Sequence, residues 1–173
     1  MFGKRSSERE IRAGLPVLYP RLWRFALILS SSRDAADDLA QATCLRALDK
    51  AAGYTPGTRL DSWLFKMAQR IWLNELRSQA VRRGGGLQPV EDIALPDPGP
   101  GAETNILVGQ VLSRISALPE AQRASVTLVY VEGFSYAEAA EILEVPIGTI
   151  MSRLSTARRK VSEAMEDAKT GTS

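Results

Sequence analysis

The chain has 173 residues and a formal net charge of +2, with 45% hydrophobic and 24% charged residues, an ordinary globular composition with room for two small domains. It has no histidine and one cysteine, which excludes a His/Cys zinc site, an internal disulfide and histidine-dependent catalysis. No apolar run approaches the roughly 20 residues that cross a bilayer, and the charged N-terminus has no apolar core behind it. The chain is therefore expected to be cytoplasmic, with no membrane segment of its own, no metal or cofactor, and no enzymatic activity.

Leu15, Leu18, Leu22, Phe25 and Leu29 recur at spacings of three and four, which predicts a helix with one apolar stripe. A second helix is expected from Ser32 to Lys50, with Asp34 as its cap and Leu39, Ala42, Leu45 and Leu48 inside. Cys44 falls in this pattern as a small buried apolar side chain. Asp37, Asp38, Gln41 and Arg46 read as one polar face, either solvated or docked on a protein partner. Tyr54-Thr-Pro-Gly-Thr is turn chemistry. A third helix follows from about Asp61 to Val81, with Leu60, Leu64, Met67 and Ile71 inward. Trp63, Arg70, Asn74, Arg77 and Arg82 lie on its outer side. Tryptophans 63 and 72, interleaved with arginines 70 and 77, can stack bases of a melted duplex while the cations hold phosphates. The alternative places both tryptophans in a three-helix core.

From Arg83 to Thr104, nine of 22 residues are glycine or proline, which predicts a linker. Val108, Val111, Leu112 and Ile115 predict a fourth helix, and Leu118-Pro-Glu starts a fifth that runs to Glu132. Every segment has helical period or none, so the expected fold is all-α: two small helical domains joined by a flexible linker, the second ending in a helix-turn-helix.

The stretch from Gly133 to Lys160 carries the most information. Ser135 and Glu138 form a capping box, marking a helix start at about Tyr136 with Ala137, Ala140, Ile142 and Leu143 on its inner face. Pro146 and Gly148 interrupt it, and Thr149 caps a second helix with Ile150, Leu154, Ala157 and Val161 as its buried stripe. That helix holds Arg153, Arg158, Arg159 and Lys160 and no acid from Thr149 to Val161. A helix apolar behind and cationic in front suits the major groove of DNA. Arg158 and Arg159 are assigned to phosphates, and Met151 and Ser152 to base edges, Met151 through shape or a thymine methyl group. Charge is uneven: residues 1–82 carry a net +6, while 83–117 and 118–173 carry −2 each. A polyanion is thus expected to meet the first segment and the recognition helix.

Five motifs occur in order: Asp34-Ala-Ala-Asp-Asp-Leu-Ala-Gln-Ala-Thr-Cys-Leu-Arg-Ala-Leu, Ser62-Trp-Leu-Phe-Lys-Met-Ala-Gln-Arg, Leu118-Pro-Glu-Ala-Gln-Arg, Phe134-Ser-Tyr-Ala-Glu-Ala-Ala-Glu-Ile-Leu and Pro146-Ile-Gly-Thr-Ile-Met-Ser-Arg-Leu. Over residues 12–163 the chain thereby resembles an extracytoplasmic-function (ECF) sigma factor. The resemblance implies sigma region 2 at 12–82, a linker at 83–105 and sigma region 4 at 106–165. It implies docking of Asp38, Gln41 and Arg46, with Asp37 beside them, on the β′ clamp of core RNA polymerase. It implies that the loop 52–60, with Thr58 and Arg59, receives a flipped base of the −10 motif, and that Trp63, Lys66, Arg70 and Arg77 face the non-template strand. Residues 118–132 resemble the helix that meets the β flap. Thr149–Lys160, including Met151, Ser152, Arg153, Thr156, Arg158 and Arg159, resembles the helix that reads the −35 motif of promoter DNA. An anti-sigma factor is the implied regulatory partner, and a sigma-like decoy that sequesters such a factor is the alternative function. Ala42 stands where the family usually has glutamate, Arg70 where asparagine is frequent, and Glu144 where a turn glycine is common. Met151, Ser155 and Thr156 replace residues that are often basic or larger.

Overall fold

A computed structural model describes residues 2–84 and 113–170, with side chains from 5 to 84 and 113 to 167. The described residues are helical or turn throughout and form two compact units. The expected linker beyond Gly84 and most of the expected fourth helix lie outside them.

The first unit contains α1 (Phe2–Ser30), α2 (Arg33–Asp49), a single 3₁₀ turn (Ala51–Gly53) and α3 (Leu60–Arg82). Pro16 and Pro20 sit inside α1, and both are exposed, so the carbonyls they leave unpaired are on the water side. Leu22, Phe25 and Leu29 of the expected stripe are buried, while Leu15 and Leu18 pack half-buried on Ile11, Ala47, Ala51, Tyr54 and Leu64. Phe25 and Phe65 meet at a centroid distance of 4.9 Å, with the Arg21 guanidinium 5.7 Å from the Phe65 ring.

Between α1 and α2 the chain turns at Ser31, which is left-handed (φ 56°). Ser32, not Asp34, is the cap of α2, its side chain accepting from the Ala35 N–H at 3.4 Å. Asp34 lies in the first turn, where its charge meets the positive end of the helix. The interior of α2 also differs from expectation. Ala36, Leu39, Ala40, Thr43 and Ala47 are buried, whereas Leu45 is 70% exposed and Cys44 only half-buried, its thiol pushed up by that burial. A strict spacing of three rotates the stripe by about 60° per step around a 3.6-residue helix, so the predicted face drifts off the core. In α3 the buried set is Leu64, Phe65, Ala68, Gln69 and Trp72, with Met67 half-buried at its margin.

Residues 113–170 contain α4 (Glu120–Val126), continued by a π-helical turn (Thr127–Val131), then α5 (Tyr136–Leu143) and α6 (Ile147–Thr170). Gly133 (φ 76°) ends the π turn as the Phe134 N–H donates to the Leu128 carbonyl at 2.9 Å. The capping box forms as expected: the Ser135 N–H donates to Glu138 at 2.7 Å, and the Glu138 N–H to Ser135 at 3.1 Å. The inner face of α5 is Ala139, Ala140, Ile142 and Leu143, and Ala137 is exposed. Ala137 lies only three residues from Ala140 and so turns past the edge of the stripe.

Glu144 occupies the turn in the left-handed region (φ 55°), and the Val145 N–H donates back to the Ala140 carbonyl at 3.0 Å. The next helix starts earlier than its sequence signals suggest. The Pro146 carbonyl accepts from the Thr149 N–H at 2.9 Å and the Ile150 N–H at 3.4 Å, so Pro146 holds the cap position and Thr149 the third helical position. Gly148, expected in the turn, is instead the second residue of α6. Ile150, Leu154 and Ala157 are buried as expected, and Val161 at the end of the stripe is half-buried.

Candidate nucleic-acid and protein interfaces

Asp37, Asp38, Gln41 and Arg46 are all exposed on α2. They do not form one face, because nine residues separate Asp37 from Arg46, about half a revolution. Asp37 turns toward α1 and accepts from the Trp23 indole N–H at 2.6 Å. Arg46 turns the other way and, with Lys50, borders the surface that carries Trp63 and Lys66 of α3. Asp38 and Gln41 remain in the middle, with exposed Leu45 beside them. Leu45, expected inside, is outside, as counting in 3.6-residue turns from Leu39 and Thr43 requires.

On α3, Trp63, Lys66, Arg70, Asn74 and Arg77 follow each other at three and four, so one stripe runs along the helix. Arg70 and Arg77 are exposed, and Arg77 donates to the Asn74 side chain at 3.1 Å. The two tryptophans separate. Trp72 is 8% exposed and belongs to the core, while Trp63 is half-buried at the head of the stripe, its ring 5.3 Å from that of Tyr54. Thr58 and Arg59 are exposed in the preceding loop, where the Thr58 hydroxyl donates to the Thr55 carbonyl at 2.7 Å. Arg59 grips Asp61 with two bonds, at 3.1 and 2.8 Å. Burial pushes the Asp61 carboxyl up, but Arg59, the Ser62 N–H and the Arg21 charge outweigh it and hold the group below the usual carboxylate range.

On α6, the buried stripe fixes the outward side: Met151, Ser152, Ser155 and Arg159 face solvent opposite Ile150, Leu154 and Ala157. Met151 is 52% exposed, with Ile147 also exposed one turn earlier. The Ser152 hydroxyl donates to the Thr149 carbonyl at 3.1 Å, and Arg159 pairs with Glu163 at 3.0 Å. Arg158 lies on one flank and donates to the Tyr130 hydroxyl at 3.1 Å. Thr149, Arg153 and Thr156 are half-buried on the opposite flank. Arg153 acts electrostatically on Glu120 at the start of α4. Burial raises the Glu120 carboxyl above its ordinary value, and the charges of Arg123 and Arg153 oppose that rise. The cations thus divide, with Arg158 and Arg159 exposed and Arg153 half-buried on the other flank. Tyr130 carried no signal in the sequence, because its link to Arg158 spans 28 residues.

Residues 17–82 match the family described as Sigma-70 region 2, and residues 109–161 that described as Sigma-70, region 4. The chain is similar to the ECF RNA polymerase sigma factor EcfG of Rhodopseudomonas palustris, 33% identical over 157 residues, 88% of this chain and 83% of that protein. It is similar to the ECF RNA polymerase sigma factor SigM of Mycobacterium tuberculosis, 32% identical over 151 residues, 87% of this chain and 74% of that protein. Among solved structures it resembles the sigma factor RpoE of Bartonella quintana, in complex with the anti-sigma factor NepR. The TM-score is 0.78 at 29% identity, covering 91% of this chain and 98% of that one.

Proposed function

We infer what each surface does from one premise: the chain belongs to the extracytoplasmic-function sigma factors of RNA polymerase. It is a transcription initiation factor that binds core RNA polymerase and directs it to promoters. The observation that carries this reading is the pairing of regions 2 and 4 in one chain, with a helix-turn-helix whose exposed side is polar and cationic. It performs no chemistry of its own and works in the cytoplasm, where the polymerase is.

Residue roles follow from exposure and charge. Asp38 and Gln41, with Leu45 between the acid and the edge of α2, dock on the β′ clamp. Arg46 instead adds its charge to the stripe of Trp63, Lys66, Arg70 and Arg77, which tracks the non-template strand of the melted −10 region. The loop 52–60 receives the flipped base. The π-extended α4 meets the β flap. Ser152 and Met151 face −35 base edges, while Arg158 and Arg159 hold phosphates. Arg153, half-buried and within electrostatic reach of Glu120, is a weaker candidate for DNA than its charge suggests. An anti-sigma factor is the regulatory partner, a reading supported by the likeness to a sigma factor crystallised with one. The test is in vitro transcription with core polymerase on genomic fragments and mapping of start sites. Promoter-specific starts are expected. A protein that binds an anti-sigma factor but supports no initiation would be a decoy.

A further inference from the structure

Beyond its internal bonds from Thr58 to the Thr55 carbonyl, the loop proposed to receive the −10 base is anchored on the first turns of α1, forty-odd residues earlier. The Ser7 hydroxyl, buried, donates to the Tyr54 carbonyl at 2.8 Å. The Tyr54 hydroxyl donates to Glu10 Oε1 at 2.6 Å and also lies 2.8 Å from the Thr58 carbonyl. The Gly57 N–H, at the left-handed tip of the loop (φ 79°), donates to Glu10 Oε2 at 3.1 Å. One carboxylate therefore joins the base of the loop, through Tyr54, to its tip. The Tyr54 ring packs in turn on Trp63, the first residue of the α3 stripe. Gly14 lies against Leu60, whose terminal methyl group would have to shift to admit a side chain there. All of these α1 residues precede residue 17, where the match to Sigma-70 region 2 begins.

We propose that Glu10, assisted by Ser7, is a positioning residue for −10 recognition: the first turns of α1 hold the Tyr54–Leu60 loop and Trp63 in the arrangement that captures the flipped base. The proposal rests on the reading that this loop receives that base. The physical reason is entropy. The loop is exposed and carries a left-handed glycine, so unrestrained it samples many shapes, and capture from each is penalised by the fraction that is competent. Two hydrogen bonds to a single anion remove that penalty before DNA arrives. A neutral glutamine retains an acceptor oxygen and so keeps part of the restraint, whereas alanine keeps none.

The experiment uses holoenzyme made from core polymerase and full-length wild type, Glu10→Ala, Glu10→Gln, Tyr54→Phe and a loop variant with Thr55, Pro56 and Thr58 changed to alanine. Holoenzyme affinity for single-stranded −10 oligonucleotides is measured with each of the four bases at every position, alongside core binding and thermal melting. Glu10→Ala, which loses both bonds to the carboxylate, should lose at least about ten-fold of the discrimination at the captured position. Glu10→Gln and Tyr54→Phe should retain more, and core binding should stay within about two-fold in all three. A merely structural brace would lower melting temperature and affinity for all bases alike. If the loop variant loses discrimination and Glu10→Ala keeps it, the positioning role is overturned while the loop reading stands. If the loop variant itself keeps full discrimination, the loop reading falls and the role of Glu10 with it.

Discussion

Met151 is an uncharged, half-exposed side chain on the outward side of α6, one turn after exposed Ile147. A thioether there has shape and apolar surface to offer to a base edge, and a thymine methyl group is the complement it fits. Met151→Arg introduces a bidentate donor suited to guanine, so the preferred −35 sequence should change at one position by about 1–3 kcal/mol. Selection from a promoter library randomised at −35 checks it, and an unchanged consensus would contradict the base-facing assignment. A second residue-scale prediction concerns strain. Ser31 is buried and left-handed, and its hydroxyl has no hydrogen-bond partner among the described residues. Ser31→Gly removes both costs against a smaller entropic loss, a net gain of about 1 kcal/mol. The melting temperature of the protein should rise by a few degrees.

Helix by helix, the recognition unit depends on how α4 receives α6. Glu120 begins α4 with a carboxyl raised by burial, despite the opposing charges of Arg123 and Arg153. A raised carboxyl favours the folded state most when protonated, so this group contributes stability at acid pH that is lost as pH rises through its folded-state value. Glu120→Gln removes the titration, and melts of wild type and variant should differ most at neutral pH, with the variant at least as stable there. The opposite slope would show that the arginine pair dominates. On the other flank, Tyr130 holds Arg158 from the end of the π turn. Tyr130→Phe frees that guanidinium and should weaken binding to all −35 sequences alike by about 0.5–1.5 kcal/mol, without altering their ranking. Footprinting titrations on two different −35 sequences separate this from a base contact.

At the scale of the whole molecule, polymerase binding is predicted to centre on Asp38 and Gln41. Asp38→Ala and Gln41→Ala should each weaken binding to core polymerase by about 1–2 kcal/mol while melting as wild type does, because both side chains are exposed. Pull-downs against β′ measure it. Much of this protein was legible in one dimension. The capping box at Ser135 and Glu138 and the apolar stripe of Ile150, Leu154 and Ala157 involve partners within a turn or two, where spacing alone dictates geometry. What spacing could not decide was rotation and distance. A period of three puts Leu45 and Ala137 inward, whereas a helix of 3.6 residues per turn carries both outward. Arg46 parted from Asp37 for the same reason. The roles of Glu10 and Tyr130 depend on partners 44 and 28 residues away, brought close only when helices pack. Side-chain type and local period set which elements form and which surfaces are charged. Tertiary packing alone selected which of two tryptophans is core, which arginine of α6 is half-buried, and which distant carboxylate anchors an exposed loop, since those depend on burial that exists only in the assembled fold.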